Sequence, residues 1–202
     1  MKKRVLFDWD GTIVDSMDKI FQGACHVFVS QSLEPPSFED YVLNFRFPFG
    51  IFYRERGVKL SDNKIYEIFL ECCSDDSSSF FDDALPAFSR LQKNGFTPTI
   101  ITANSSDKIV GILNSLGLAE PVDCVFARNK ASTIAEFVKK SALGSRTPYF
   151  GDIREDMREA VEGGASPVAV LRKDMMKLGQ EFLDAGAIVC IKSLRDLELV
   201  LR

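Results

Sequence analysis

The segment that most constrains this chain is Val5-Leu6-Phe7-Asp8-Trp9-Asp10-Gly11-Thr12. Three consecutive apolar residues suit a strand buried on both faces, and such strands belong to parallel sheets covered by helices. Asp8 and Asp10 therefore fall where a central strand ends and a loop begins, at the edge where open α/β folds bind ligands. Two carboxylates this close repel each other and resist desolvation. A divalent cation between them reverses that cost. Because the groups on offer are all oxygens, a hard ion such as Mg2+ fits. The structural alternative is that the aspartates cap a turn in which Gly11 supplies a positive φ.

Apolar residues at Met17, Ile20, Phe21, Ala24, Val27 and Phe28 recur at helical spacing, so Asp15 to Ser32 is expected to be helical, capped by Asp15 or Ser16. Glu34-Pro35-Pro36 stops it, and Ser37 can cap the next helix. From Phe38 to about Phe80 the chain is aromatic-rich and lacks any strand-like run, with a helix expected over Asn63–Cys73 and a polar break at 75–79. Residues 16–80 are thus expected to form a small helical cap inserted after the first strand, with 1–15 and 81–202 forming the core. Asp83 is expected to cap a helix reaching Lys93. Strands are then expected at 97–102, 122–127, 147–151, 167–171 and 187–191. Helices are expected at 106–116, ended by Gly117, and at 132–143, 154–162, 175–185 and 194–201. That alternation predicts an α/β fold, a Rossmann-like parallel sheet with helices on both faces.

Composition excludes several classes. A hydrophobic fraction of 46% and a charged fraction of 27% are those of a globular domain, and a net charge of −4 leaves no electrostatic footprint for nucleic acid. No stretch approaches the ~20 apolar residues that span a bilayer. Lys2-Lys3-Arg4 resembles a signal-peptide start, but Asp8 and Asp10 break the apolar run behind it. The five cysteines show no C-x-x-C and are expected to be reduced, in a cytoplasmic protein. No obligate protein partner is evident, and no membrane association is expected.

Chemistry recurs at the strand ends. The first ends in Asp8, the next in Thr102-Ala103-Asn104, and the strand from Thr147 in Gly151-Asp152, with Asp156 four residues on. In a parallel sheet these ends share one edge, so Asp8, Asp10, Thr102, Asp152 and Asp156 can converge. With F-D-W-D-G-T (7–12), I-I-T-A-N (100–104), Lys130 and G-D-I-R-E-D (151–156) in this order, the chain resembles the haloacid dehalogenase-like hydrolases, of the phosphatase type with a small helical cap.

The resemblance implies roles. Asp8 would be the nucleophile that forms an aspartyl-phosphate, and Asp10 the general acid and then base, its carbonyl also binding Mg2+. Asp8, Asp10 and Asp152 would hold the metal, with Asp156 a direct or water-mediated support. The Thr102 hydroxyl and the backbone of Gly11, Thr12, Ala103 and Asn104 would hold phosphoryl oxygens. Lys130, preferred to nearby Arg128, would offset the charge of Asp8 and the phosphate. Trp9 departs from the family, which usually places Leu, Phe or Met between the two aspartates.

In the cap, Arg46 lies among Phe45, Phe47 and Phe49 and could grip a substrate anion, or the aromatics could be the cap's own core. Arg54 and Arg56 read as solvated. His26, the single histidine, reads as a helix residue. The related sugar-phosphate mutases carry a histidine where this chain has Ile20, which disfavours a mutase. Asp10 favours phosphate chemistry over dehalogenation, because the dehalogenases proper lack the second aspartate. The implied function is a Mg2+-dependent phosphatase acting on a small-molecule phosphate ester. The alternatives are a phosphotransferase or mutase on the same fold, and a non-catalytic phospho-ligand-binding protein.

Overall fold

The computed structural model describes residues 1–73, 78–104, 106–115 and 122–201, with all of their side chains but those of Ser106, Lys108 and Asp174. The polar break expected at 75–79 lies partly, and the helix end expected at Gly117 wholly, outside the described residues.

Six strands form one sheet: β1 (Lys3–Phe7), β2 (Phe96–Thr102), β3 (Asp123–Phe126), β4 (Pro148–Gly151), β5 (Ser166–Val170) and β6 (Val189–Ile191). Their order is β3-β2-β1-β4-β5-β6, and every pairing is parallel. β1 is central because it is apolar on both faces: Val5, Leu6 and Phe7 are fully buried. Phe7 registers with Ile100 of β2 and Phe150 of β4. The chain reverses direction across the sheet at β1, so the loop carrying Asp8 leaves at the switch point where such folds bind ligands.

Among the described residues five helices lie between β1 and β2, and the insertion holds the first four: α1 (Met17–Val29), α2 (Phe38–Asn44), α3 (Gly50–Arg54) and α4 (Asp62–Cys73). Ser37 caps α2, its hydroxyl accepting the Asp40 N–H at 3.1 Å. The later helices are α5 (Ala84–Lys93), α6 (Ser106–Ser115), α7 (Lys130–Lys140), α8 (Arg154–Glu162) and α9 (Gly179–Asp184). Successive strand residues face opposite ways, and two clusters result. Val5, Phe7, Ile100 and Phe150 pack against Phe88 of α5 and Ile109 of α6. On the other face Leu6, Ile101 and Tyr149 pack against Ile134 of α7 and Ala160 of α8. A third cluster joins Phe28, Tyr41, Phe52 and Tyr53 of the insertion to Met157, Leu171 and Phe182, so the insertion is apolar against the sheet layer.

Several local expectations are corrected. Residues 173–178 and 194–199 are 3-10 turns rather than α-helix. Gly179, a poor helix residue, marks where the first gives way to α9. Asp83 and Ser16 precede α5 and α1 but cap neither, because their backbones are near-helical (φ −94°, ψ −13° and φ −110°, ψ −9°) rather than extended. Both side chains instead bond to groups outside these helices. Trp9 is buried and meets Phe80 edge-on at 5.5 Å between ring centroids. No described helix is long and apolar enough to cross a membrane.

Candidate active site

The loop after β1 closes tightly: the Ile13 N–H donates to Trp9 O and the Gly11 N–H to Val14 O, each at 2.9 Å. Gly11 has φ +70°, and a Cβ there would collide with the Asp152 carboxylate, so only glycine lets the two approach. Gly151 has the same role beside Asp156.

These loops gather four acids around one lysine. Carboxylate oxygens of Asp8, Asp152 and Asp156 lie within 4.8 Å of one another, and all three residues are buried. Lys130, at the first turn of α7, places Nζ 2.9 Å from Asp8 Oδ1 and 2.8 Å from Asp156 Oδ1. Arg128, the other candidate cation, lies over the Phe126 ring instead. Asp10 accepts from Ser16 Oγ at 2.8 Å and from Asn104 Nδ2 at 3.1 Å. The hydroxyl expected to cap α1 thus orients an acid of the cluster. Thr102 is fully buried, and its Oγ1 accepts the Asn104 N–H at 3.0 Å, which fixes the turn of Ala103 and Asn104 beside Asp10.

Asp156 is already committed. Its Oδ1 accepts from Lys130 Nζ and from Tyr149 OH (3.2 Å), and its Oδ2 from the N–H groups of Asp152 and Ile153 (3.2 and 3.3 Å). Four donors match the roughly four acceptor sites of a carboxylate. Asp156 therefore sets Lys130 and the 152–153 turn, and direct ligation of an ion would displace one of these donors. Asp152 differs: Oδ1 accepts from Thr12 Oγ1 at 3.3 Å, while Oδ2 is buried without a partner.

The electrostatics follow from crowding. Burial pushes the Asp8 carboxyl up to about 8, with Asp156 and Asp10 adding to the shift and Lys130 opposing it. Burial raises Asp10 against the hydrogen bonds from Ser16 and Asn104. It also raises Asp152 well above the carboxylate range, with Asp156 and Asp8 contributing. For Lys130, burial alone would lower the ammonium pKa, but Asp156 and Asp8 outweigh it and hold the group well above its ordinary value. One lysine does not offset these acids. The unpartnered Asp152 Oδ2, the space that Gly11 leaves beside it and the all-oxygen donor set fit a hard divalent cation.

A cavity of about 490 Å³ opens beside Gly11 and Asp152, walled by Met17 and Phe38 of the insertion and by Arg172 and Leu178 of the sheet layer. Arg46 is not among its walls. It pairs with Glu55 inside the insertion and makes no ion pair with the acids of the cluster. Arg56 stacks on Phe52 and pairs with Asp40, Arg54 pairs with Asp62, and His26 meets Glu71 at 3.2 Å. Sequence reasoning passed over Ser16 as an Asp10 partner, Tyr149, Glu159 and Arg172. Tyr149 carried a signal, a polar ring in a strand otherwise apolar, whereas Arg172 carried none.

The model of the haloacid dehalogenase-like hydrolase family matches residues 5–170. Among curated proteins, "Putative pyrophosphatase PpaX" of Clostridium perfringens is 31% identical over 121 residues, which are 55% of this chain and 56% of the relative. The match thus spans about half the length of that protein. Among solved structures, "Putative beta-phosphoglucomutase from Bacteroides vulgatus" superposes with a TM-score of 0.76 at 18% identity, covering 99% of this chain and 89% of the other. "Crystal structure of a predicted phosphatase from Clostridium acetobutylicum" gives 0.74 at 17% identity, covering 100% and 98%. At such identities the two structures speak for the fold alone. With the family model covering most of its length, the chain belongs to the haloacid dehalogenase-like hydrolases.

Proposed function

We propose that the protein is a Mg2+-dependent phosphatase that hydrolyses a small-molecule phosphate ester through an aspartyl-phosphate at Asp8. The observation that carries this reading is the buried Asp8–Lys130–Asp152 arrangement with Asp152 Oδ2 left without a partner. Asp8, Asp152 and the backbone carbonyl of Asp10 would hold Mg2+, which when bound neutralises carboxylate and phosphoryl charge.

Asp8 attacks phosphorus in line, forming the carboxylate–phosphorus bond as the ester P–O bond breaks. Lys130 holds Asp8 in place and offsets its charge. Asp10, whose carboxyl burial shifts upward, acts as the acid that passes a proton to the leaving oxygen. Asp10, now ionised, takes a proton from the water that attacks the aspartyl-phosphate, releasing phosphate and restoring Asp8. Asn104 and Ser16 hold Asp10 oriented through both transfers.

The name of the Clostridium perfringens relative adds pyrophosphate to the candidate substrates, since a P–O–P bond calls for the same attack. The mutase reading lacks support from the corresponding residue: Ile20, half-buried in α1, can carry no proton. The test is hydrolysis of p-nitrophenyl phosphate, pyrophosphate and a panel of phosphorylated metabolites with and without Mg2+, beside Asp8→Asn. Metal-dependent turnover that vanishes in the variant is the expected result. Silence across the panel while Mg2+ binds normally would overturn the hydrolase reading.

A further inference from the structure

Arg172 lies two residues beyond the end of β5 and belongs to none of the family's motifs in this chain. Its guanidinium bridges three places in the fold. Nη1 donates to Asp83 Oδ2 at 2.6 Å, and Nη2 donates to Asp83 Oδ1 at 3.0 Å and to the Thr12 carbonyl at 2.9 Å. The Phe81 ring stacks beneath it, 4.0 Å from Cζ. Asp83 is in turn fixed by Ser193 Oγ (2.5 Å) and the Leu194 N–H (2.9 Å), so Arg172 rests on a rigid support. Thr12 is fully buried, and its hydroxyl is the hydrogen-bond donor on Asp152 Oδ1, opposite the unpartnered Oδ2.

The geometry points to Arg172 as a positioning residue: through the Thr12 carbonyl it fixes the Thr12 hydroxyl, which aims the Asp152 carboxylate with Oδ2 free for a cation. This role rests on the Mg2+-dependent reaction proposed above. The planar fork is needed, because one group must reach both Asp83 oxygens and a carbonyl at once; an ammonium cannot span that arrangement. Partners that orient a ligating carboxylate are typically worth ~10- to 100-fold in metal affinity.

The experiment is calorimetric titration of Mg2+ into the full chain, without substrate, for wild type, Arg172→Lys, Thr12→Val, Thr12→Ser and the double variant Arg172→Lys/Thr12→Val. Arg172→Lys and Thr12→Val should each weaken Mg2+ binding about tenfold. Thr12→Ser should bind close to wild type. The double variant should be no worse than the weaker single one, because both changes break the same relay. Turnover of Arg172→Lys should recover at saturating Mg2+, which damage to the fold would not permit. Wild-type affinity in folded Arg172→Lys or in Thr12→Val overturns the relay, and so does a double variant whose loss is the product of the single losses. If Arg172→Lys does not fold, Thr12→Val against Thr12→Ser decides. A wild-type chain that binds no Mg2+ overturns the proposed reaction and this role with it, whereas normal binding in every variant overturns this role alone.

Discussion

Lys130 is held from both ends. Its ammonium sits between Asp8 and Asp156, and its backbone N–H donates to Glu159 Oε1 at 2.8 Å. Lys130→Met removes the cation facing Asp8, the proposed nucleophile, and should lower kcat by about 10²–10³-fold, the size seen when a preorganised electrostatic contact is deleted. Single-turnover kinetics at saturating Mg2+ would check this; an unchanged chemical step would refute the assignment. Glu159 gives a pH signature. Burial, opposed by Lys130, pushes its carboxyl from the ordinary 4.5 up to about 7. Between those values the folded protein holds a proton that the unfolded chain has lost. This group's contribution to stability therefore declines as pH rises through that window and is level above it. Glu159→Gln removes the decline, so in urea unfolding the variant should gain on the wild type between about pH 5 and pH 8. An equal difference at both pH values would contradict the shift.

At the scale of elements, the site depends on the loop after each strand more than on the strand itself. β1, β2 and β4 bring Asp8, Thr102 and Asp152 to one edge, but Gly11 and Gly151 decide how closely the loops approach. Asp83 ties three elements together: the start of α5, the exit of β5 through Arg172, and the 3-10 turn at 194–199. Its donors outweigh burial and hold its carboxyl below the usual range, so this stabilisation is present at neutral pH and is lost only as pH falls through the depressed value. Asp83→Asn leaves the Arg172 guanidinium uncompensated and should cost about 3 kcal/mol at neutral pH by denaturant unfolding. A loss below ~1 kcal/mol would place the pair with the weak surface ones.

For the whole molecule, the insertion and the sheet share one apolar cluster that runs from Phe28 and Tyr41 to Met157 and Phe182. Lys173 adds an exposed ion pair to Asp18 at 2.7 Å, and Lys177 one to Glu39, each worth well under ~1 kcal/mol. Apolar continuity, not these pairs, should make the chain unfold as one unit. Trp9, the single tryptophan, reports on the sheet, while in a Tyr149→Phe background the remaining tyrosines, Tyr41, Tyr53 and Tyr66, all report on the insertion. Trp9 fluorescence and the near-ultraviolet dichroism of the tyrosines should therefore give coincident transitions. Separated midpoints would show that the insertion melts on its own.

The alternation of apolar strands with helical periods, and the placing of Asp8, Asp10, Thr102 and Asp152 at strand ends, were legible from residue order, because strand period and strand ends are local properties of a chain. Lys130 was legible only through the resemblance to the family, and the structure sets its ammonium between Asp8 and Asp156. What only the tertiary structure decided was which polar group answers which. Arg172 meets Asp83 from 89 positions away and Glu159 meets the Lys130 amide from 29, while Ser16 turns from its own helix to Asp10. A charge in a sequence carries no address. Its partner is selected when the packed sheet buries both groups, and an unpaired one would then cost more than the fold can spare.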